Sequence, residues 1–138
     1  MITEDYVSFE IAKRLKEKEF KGLCTAYYDC FTTKNFHDGG EPTDYNSIDP
    51  KIRDIISAPT FQMAMKWLRE VHYLHITVHP GVSEYGFVWT YSIVFAKEAG
   101  KGETHFYKIS QITTPIVKSK SYEEACEAAI KYCLEHLI

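Results

Sequence analysis

Three things are missing from this chain of 138 residues: a basic excess, an apolar run of membrane length, and any closely spaced pair of cysteines. Sixteen Lys and Arg stand against nineteen Asp and Glu, giving a formal charge of -3. No electrostatic field therefore draws in phosphate backbones, and nucleic acid is not an expected partner. The most apolar stretch, Phe87 to Phe95, is interrupted by Thr90 and Ser92. It falls well short of the roughly 18 residues of a membrane span, so no membrane association is expected. Met1-Ile2-Thr3-Glu4-Asp5 shows neither a basic nor an apolar leader region, and the expected location is cytoplasmic.

The four cysteines, Cys24, Cys30, Cys126 and Cys133, form no C-x-x-C pair. Cys126 and Cys133 are about 10 Å apart along a helix, too far for a mutual disulfide. Reduced cysteines on an apolar stripe act as small hydrophobes. A nucleophilic role needs a neighbouring base, such as His136, and a lowered thiol pKa. The Gly-x-Ser-x-Gly and His-Glu-x-x-His patterns are absent. Asp38-Gly39-Gly40 lacks the Lys-Ser/Thr that completes a phosphate loop. No internal repeat or low-complexity segment occurs.

What is present is ordinary globular material, 45% hydrophobic and 25% charged. A chain of this length buries roughly two thirds of its unfolded surface around one core, so a single domain over 1–138 is expected. Ten Tyr and eight Phe against two Trp point to a well-filled core or to a Tyr-rich interface.

The organising stretch is Ala58 to His72. Phe61, Ala64, Met65, Leu68 and Val71 follow i, i+3, i+4, i+7 spacing, and Trp67 widens the stripe. From Leu74 the period becomes two, so a helix runs almost directly into a strand. Phe61, Trp67 and Leu68 are expected in the core, each contributing about 1.5 to 3 kcal/mol. Before this stretch, Ser8 caps a helix with apolar positions Phe9, Ile11, Ala12 and Leu15, ending near Gly22. Leu23 to Phe31 reads as a strand. Thr32 to Ser57 is turn-rich, with Asp38-Gly39-Gly40 placed to close a hairpin and Asp49-Pro50 to open a helical turn.

Downstream, Phe87 to Phe95 alternates at period two, with Phe87, Trp89, Tyr91, Ile93 and Phe95 on one face and Val88, Thr90, Ser92 and Val94 on the other. Ala99-Gly100-Lys101-Gly102 breaks this strand, His105 to Ile112 supplies its partner, and Pro115 marks an end. Ser121-Tyr122-Glu123-Glu124 fits a capping box, followed by the stripe Tyr122, Cys126, Ala129, Ile130, Cys133 and Leu137. The small Ala125, Ala128 and Ala129 permit close approach to a sheet. The expected class is α+β: an antiparallel sheet of three to five strands with helices packed mainly on one face, its C-terminal part ordered α-β-β-β-α.

Ile2-Thr3-Glu4-Asp5-Tyr6-Val7-Ser8-Phe9-Glu10-Ile11-Ala12, Ala58-Pro59-Thr60, Lys66-Trp67-Leu68-Arg69-Glu70 and Tyr122-Glu123-Glu124-Ala125 resemble a group of small uncharacterised proteins of bacterial prophages and mobile elements. The resemblance touches both ends and the middle. It implies a bacterial or phage cytoplasmic origin and carries no activity, cofactor or catalytic residue.

His72, His75 and His79 suggest a metal site, with His105 as a fourth ligand across the sheet. Spacing argues against it: His75 and His79 on one strand face lie roughly 13 Å apart, whereas zinc ligands sit about 2 Å from the ion. The carboxylate pairs Glu4-Asp5 and Glu123-Glu124 fall near expected helix starts, where they complement the dipole. No catalytic, cofactor-binding or metal residue is assigned, and no cofactor is expected. The leading reading is a non-catalytic protein-interaction or self-associating module, with a two-fold homodimer expected because both faces of Phe87 to Phe95 read as apolar. One alternative is a nucleic-acid binder, since helix-strand-strand-strand-helix is also the order of double-stranded-RNA-binding domains. Glu123 and Glu124 stand where those domains carry lysines. The other alternative is a small enzyme or ligand binder using a pocket between the sheet and the Thr32 to Ser57 loop.

Overall fold

In a computed structural model, residues 1–31, 35–84, 86–98, 107–112 and 118–138 are described, with 107–112 as backbone. The chain is α+β and antiparallel. It divides into two compact units, Met1–Ala64 with Ile138, and Met65–Leu137.

The first unit opens with α1, Phe9–Glu17. Ser8 caps it, its side chain accepting from the Ile11 N–H, and Ile11, Ala12 and Leu15 are buried as their spacing predicts. Gly22 does not end this helix. Glu19 does, turning left-handed at φ 64°, so that the Glu19 N–H donates to Lys16 and the Phe20 N–H to Leu15 in a Schellman closure. The strand expected within Leu23 to Phe31 is β1, Tyr27–Asp29. It is the centre of a sheet ordered β2-β1-β3, where β2 is Asn35–His37 and β3 is Ile55–Ser57.

Two turn expectations separate here. Tyr27 pairs with His37 and Asp29 with Asn35, so the β1–β2 connection runs through 30–34, of which 32–34 lie outside the described residues. Asp38-Gly39-Gly40 follows β2 instead: Asp38 Oδ1 accepts from Gly39, at φ 85°, and the Gly40 N–H donates to Thr25. Asp49-Pro50 does open a turn, with Asp49 accepting from the Lys51, Ile52 and Arg53 N–H groups. Glu4 and Asp5 precede α1 by several residues, and the Asp5 carbonyl receives the Phe61 N–H. The segment runs beside 59–61 through the bridge of Tyr6 to Thr60, so the acidic residue in the first turn of α1 is Glu10 rather than Glu4 or Asp5.

Helix α2 spans Phe61–His72, and the division between the units falls within it. Phe61, Ala64, Met65 and Leu68 are buried, but Trp67 is half-buried with its ring edge-on to His72, and Val71 is 53% exposed. The buried stripe thus leads from Leu68 toward His72, four residues on, rather than Val71, three on.

The second unit carries β4, Leu74–Ser83, β5, Gly86–Glu98, and β6, Tyr107–Ile112, in that spatial order. Of the expected partner strand, 105–106 lie outside the described residues, as do Ala99 to Gly102 and Pro115. Helix α3, Tyr122–Tyr132, is capped by Ser121 and passes into a π turn, Cys133–Leu137. It buries Ala125, Cys126, Ala129, Ile130 and Cys133, with Leu134 in place of the half-buried Leu137. The wider i→i+5 turn carries Leu137 off the α-helical stripe. Tyr122 meets Trp89 edge-to-face at 5.5 Å, which puts α3 over the face of Leu74, Ile93 and Trp89. The order α2-β4-β5-β6-α3 agrees with the α-β-β-β-α expectation.

The second face of Phe87 to Phe95 is not the apolar surface its own residues suggest. On it, Val88, Thr90, Ser92 and Val94 of β5 are paired with Gly81, His79, Thr77 and His75 of β4. The neighbouring strand makes that face mixed and largely polar, so it does not demand a cover.

Candidate functional site

The register of the first sheet sorts its aromatics onto two faces. Tyr28, Phe36 and Ile56 share one; there Tyr28 stands edge-on to Phe9 of α1 and donates its hydroxyl to the Val7 carbonyl at 2.7 Å. Tyr27, Asp29, His37, Ile55 and Ser57 share the other. Residues 41–48 cross part of that second face. Tyr45 packs on Tyr27 at 4.8 Å, and Asn46 clasps Ser57 twice, through its own N–H and by accepting the Ser57 N–H.

Beyond this cover the chain turns at Asp49-Pro50 and leaves a cleft of about 300 Å³ against the end of β1, lined by Asp29, Phe31, Pro50, Lys51, Ile52, Arg53, Asp54 and Ile55. Two hydrogen bonds fix its walls: the Cys30 N–H donates to the Asp54 carbonyl at 2.9 Å, and the Phe31 N–H to the side-chain Oδ1 of Asp29 at 3.0 Å. Arg53 is oriented by Tyr27, donating to its hydroxyl at 3.1 Å with the guanidinium 5.2 Å from the ring centre. Two carboxylates and two cations balance within the lining. Phe31 and Ile52 at its rim are 83% and 76% exposed. The described lining offers apolar contact from Phe31, Pro50, Ile52 and Ile55 and opposite charges from Asp29, Asp54, Lys51 and Arg53.

The residues that suggested chemistry in the sequence are not assembled there. His75 and His79 point from β4, where His75 Nε2 donates to the Ala96 carbonyl at 3.3 Å and His79 Nε2 lies 3.1 Å from Ser92 Oγ. His72 packs on Trp67 at the end of α2. His105 lies outside the described residues, and among the described residues no three His, Cys, Asp or Glu side chains are grouped to hold a metal ion. All four cysteines are free. Burial pushes the Cys24 thiol up to about 11 and the Cys133 thiol up to about 12. Burial, and then the negative charge of Asp54, raises Cys30. His136 packs on Tyr132 and approaches Glu135. Glu123 and Glu124 stand in the first turn of α3, with Glu124 Oε2 accepting from the Lys120 N–H.

The cleft lies between sheet and loop, as the ligand-binder alternative expects, and its lining residues are not among those the sequence marks out. The available signal was the apolar Phe31 and Ile52 within polar, turn-forming surroundings. Comparison of the chain with protein-family models, with curated proteins and with solved structures found no match.

Proposed function

We propose that this chain is a non-catalytic protein-interaction module of phage or mobile-element origin, working in the bacterial cytoplasm, and that the cleft beside β1 receives a side chain of its protein partner. The observation that carries this reading is the pair of large apolar side chains, Phe31 and Ile52, held out at the rim of a charge-balanced cleft. Exposed apolar groups around a concavity are the pattern that partner binding covers, and central apolar anchors contribute most of the affinity at such surfaces. A cleft of about 300 Å³ is at the small end for a separate ligand and suits one inserted side chain. The net charge of -3 and the acidic start of α3 weigh against nucleic acid.

The test is affinity purification from the source cells with the intact chain and with a Phe31→Ser, Ile52→Ser double variant. A stoichiometric protein retained by the first and lost by the second supports the reading. A partner held equally by both, or no partner at all, overturns it. The ligand-binder alternative keeps one observation in its favour, the position of the cleft between sheet and turn. Native mass spectrometry showing a small molecule that the double variant loses would favour it instead.

A further inference from the structure

Strand β4 is an edge of its sheet, and its backbone parity is set by one bond: the Ala96 N–H donates to the Tyr73 carbonyl at 3.0 Å. In an antiparallel ladder, hydrogen-bonded and non-bonded pairs alternate. The inward positions of β4 are therefore His75, Thr77, His79, Gly81 and Ser83, and the N–H and carbonyl groups of Leu74, Ile76, Val78 and Val82 point away from β5. Pro80 is also an outward position, so its missing N–H costs the ladder nothing. Among the described residues, no strand or isolated bridge pairs with this outer edge.

Edges of this length are normally blunted with charge or proline. From Leu74 to Ser83 there is no Asp, Glu, Lys or Arg, and the single proline stands at position 80. That leaves Leu74 to Val78 as an unguarded template.

We infer that this template is an interaction surface for a second copy of the chain, paired antiparallel about a two-fold axis through Ile76. The register is self-consistent. Leu74 faces Val78 of the second copy, and Ile76 faces Ile76. Each of the three outward pairs exchanges two backbone hydrogen bonds. On the α3-covered face this sets branched apolar residues side by side. On the open face it sets His75 beside Thr77, with no like charges opposed. Pro80 would face His72, the last residue of α2, so the proline falls just where pairing stops. The left-handed Tyr73, at φ 59°, turns the chain out of the strand at the same point. The result is a continuous six-stranded sheet across an isologous interface. This surface is formed by β4 alone, so it holds or fails independently of the cleft.

The first measurement is light scattering on the intact chain across micromolar concentrations. The expected limiting mass is twice the chain's 16.0 kDa. A mass of 16.0 kDa throughout overturns the inference. The second is a His75→Cys, Thr77→Cys double variant. The two positions form a non-bonded cross-strand pair between copies, with Cα atoms about 4.5 Å apart, within disulfide reach. Oxidation is expected to convert the dimer to a covalent one, and a dimer that forms without this link uses another surface and overturns the assignment. Should the variant not fold, hydrogen exchange on the intact chain decides: the Leu74, Ile76 and Val78 amides are expected to gain protection as concentration rises, and no gain overturns it. The Phe31→Ser, Ile52→Ser variant is expected to keep the dimer mass, which separates this result from the partner test.

Discussion

The Phe20 N–H donates to the Leu15 carbonyl at 2.9 Å, with both side chains buried, and the closure depends on Glu19 standing at φ 64° between them. A left-handed conformation costs a side-chain-bearing residue about 1 to 2 kcal/mol. Glycine avoids that cost while adding roughly 0.5 to 1 kcal/mol of unfolded-state entropy. Glu19→Gly is therefore expected to stabilise the first unit by a few tenths to about 1 kcal/mol. Glu19→Val is expected to destabilise it. Urea midpoints of the two variants, moving in opposite directions, are the check.

Leu68 has no exposed surface, whereas Trp67 is half-buried against His72. Leu68→Ala is expected to cost about 2 to 5 kcal/mol. The Trp67→Ala cost is expected to be smaller despite the larger side chain, because part of the indole is already in water. Thermal unfolding of both variants tests the ranking, which reverses if the indole is the true anchor of α2.

Ser121 accepts the Glu124 N–H at 3.1 Å, and Ser8 accepts the Ile11 N–H at 3.4 Å. Ser121→Ala is expected to cost about 1 kcal/mol, and Ser8→Ala less, as its longer bond is weaker. Chemical denaturation followed by circular dichroism resolves the difference.

The raised thiols of Cys24 and Cys133 make stability depend on alkaline pH. Their ordinary value is 9.0, and the folded values are about 11 and about 12. The unfolded chain loses these protons first, so the stabilisation is intact below pH 9 and is lost as pH climbs through the folded values. Unfolding midpoints are expected to fall over that interval, and Cys24→Ser with Cys133→Ala should flatten the slope. At neutral pH a thiol reagent is expected to modify the half-buried Cys30 well before Cys24, Cys126 or Cys133. Equal rates at all four would contradict the buried positions.

Wherever one local rule decides the outcome, the sequence by itself was sufficient. The caps at Ser8 and Ser121, the buried Ile11, Ala12 and Leu15, the turn at Asp49-Pro50 and the period-two strand around Phe87 to Phe95 all follow from groups within a few residues of each other. Tertiary structure decided what depends on distant partners. Gly22 looked like a helix terminator, but the buried pair Leu15 and Phe20 set the closure at Glu19. Asp38-Gly39-Gly40 looked like a hairpin turn, but the pairing of Tyr27 with His37 left it outside. The second face of β5 looked apolar until β4 contributed His75, Thr77 and His79 beside it. The cleft was not legible because its walls, Asp29 and Phe31 on one side and Pro50 to Ile55 on the other, are some twenty residues apart in sequence. They meet only when β1 takes β3 as its neighbour, a choice made by the burial of Ile55 and Ile56 rather than by any local propensity.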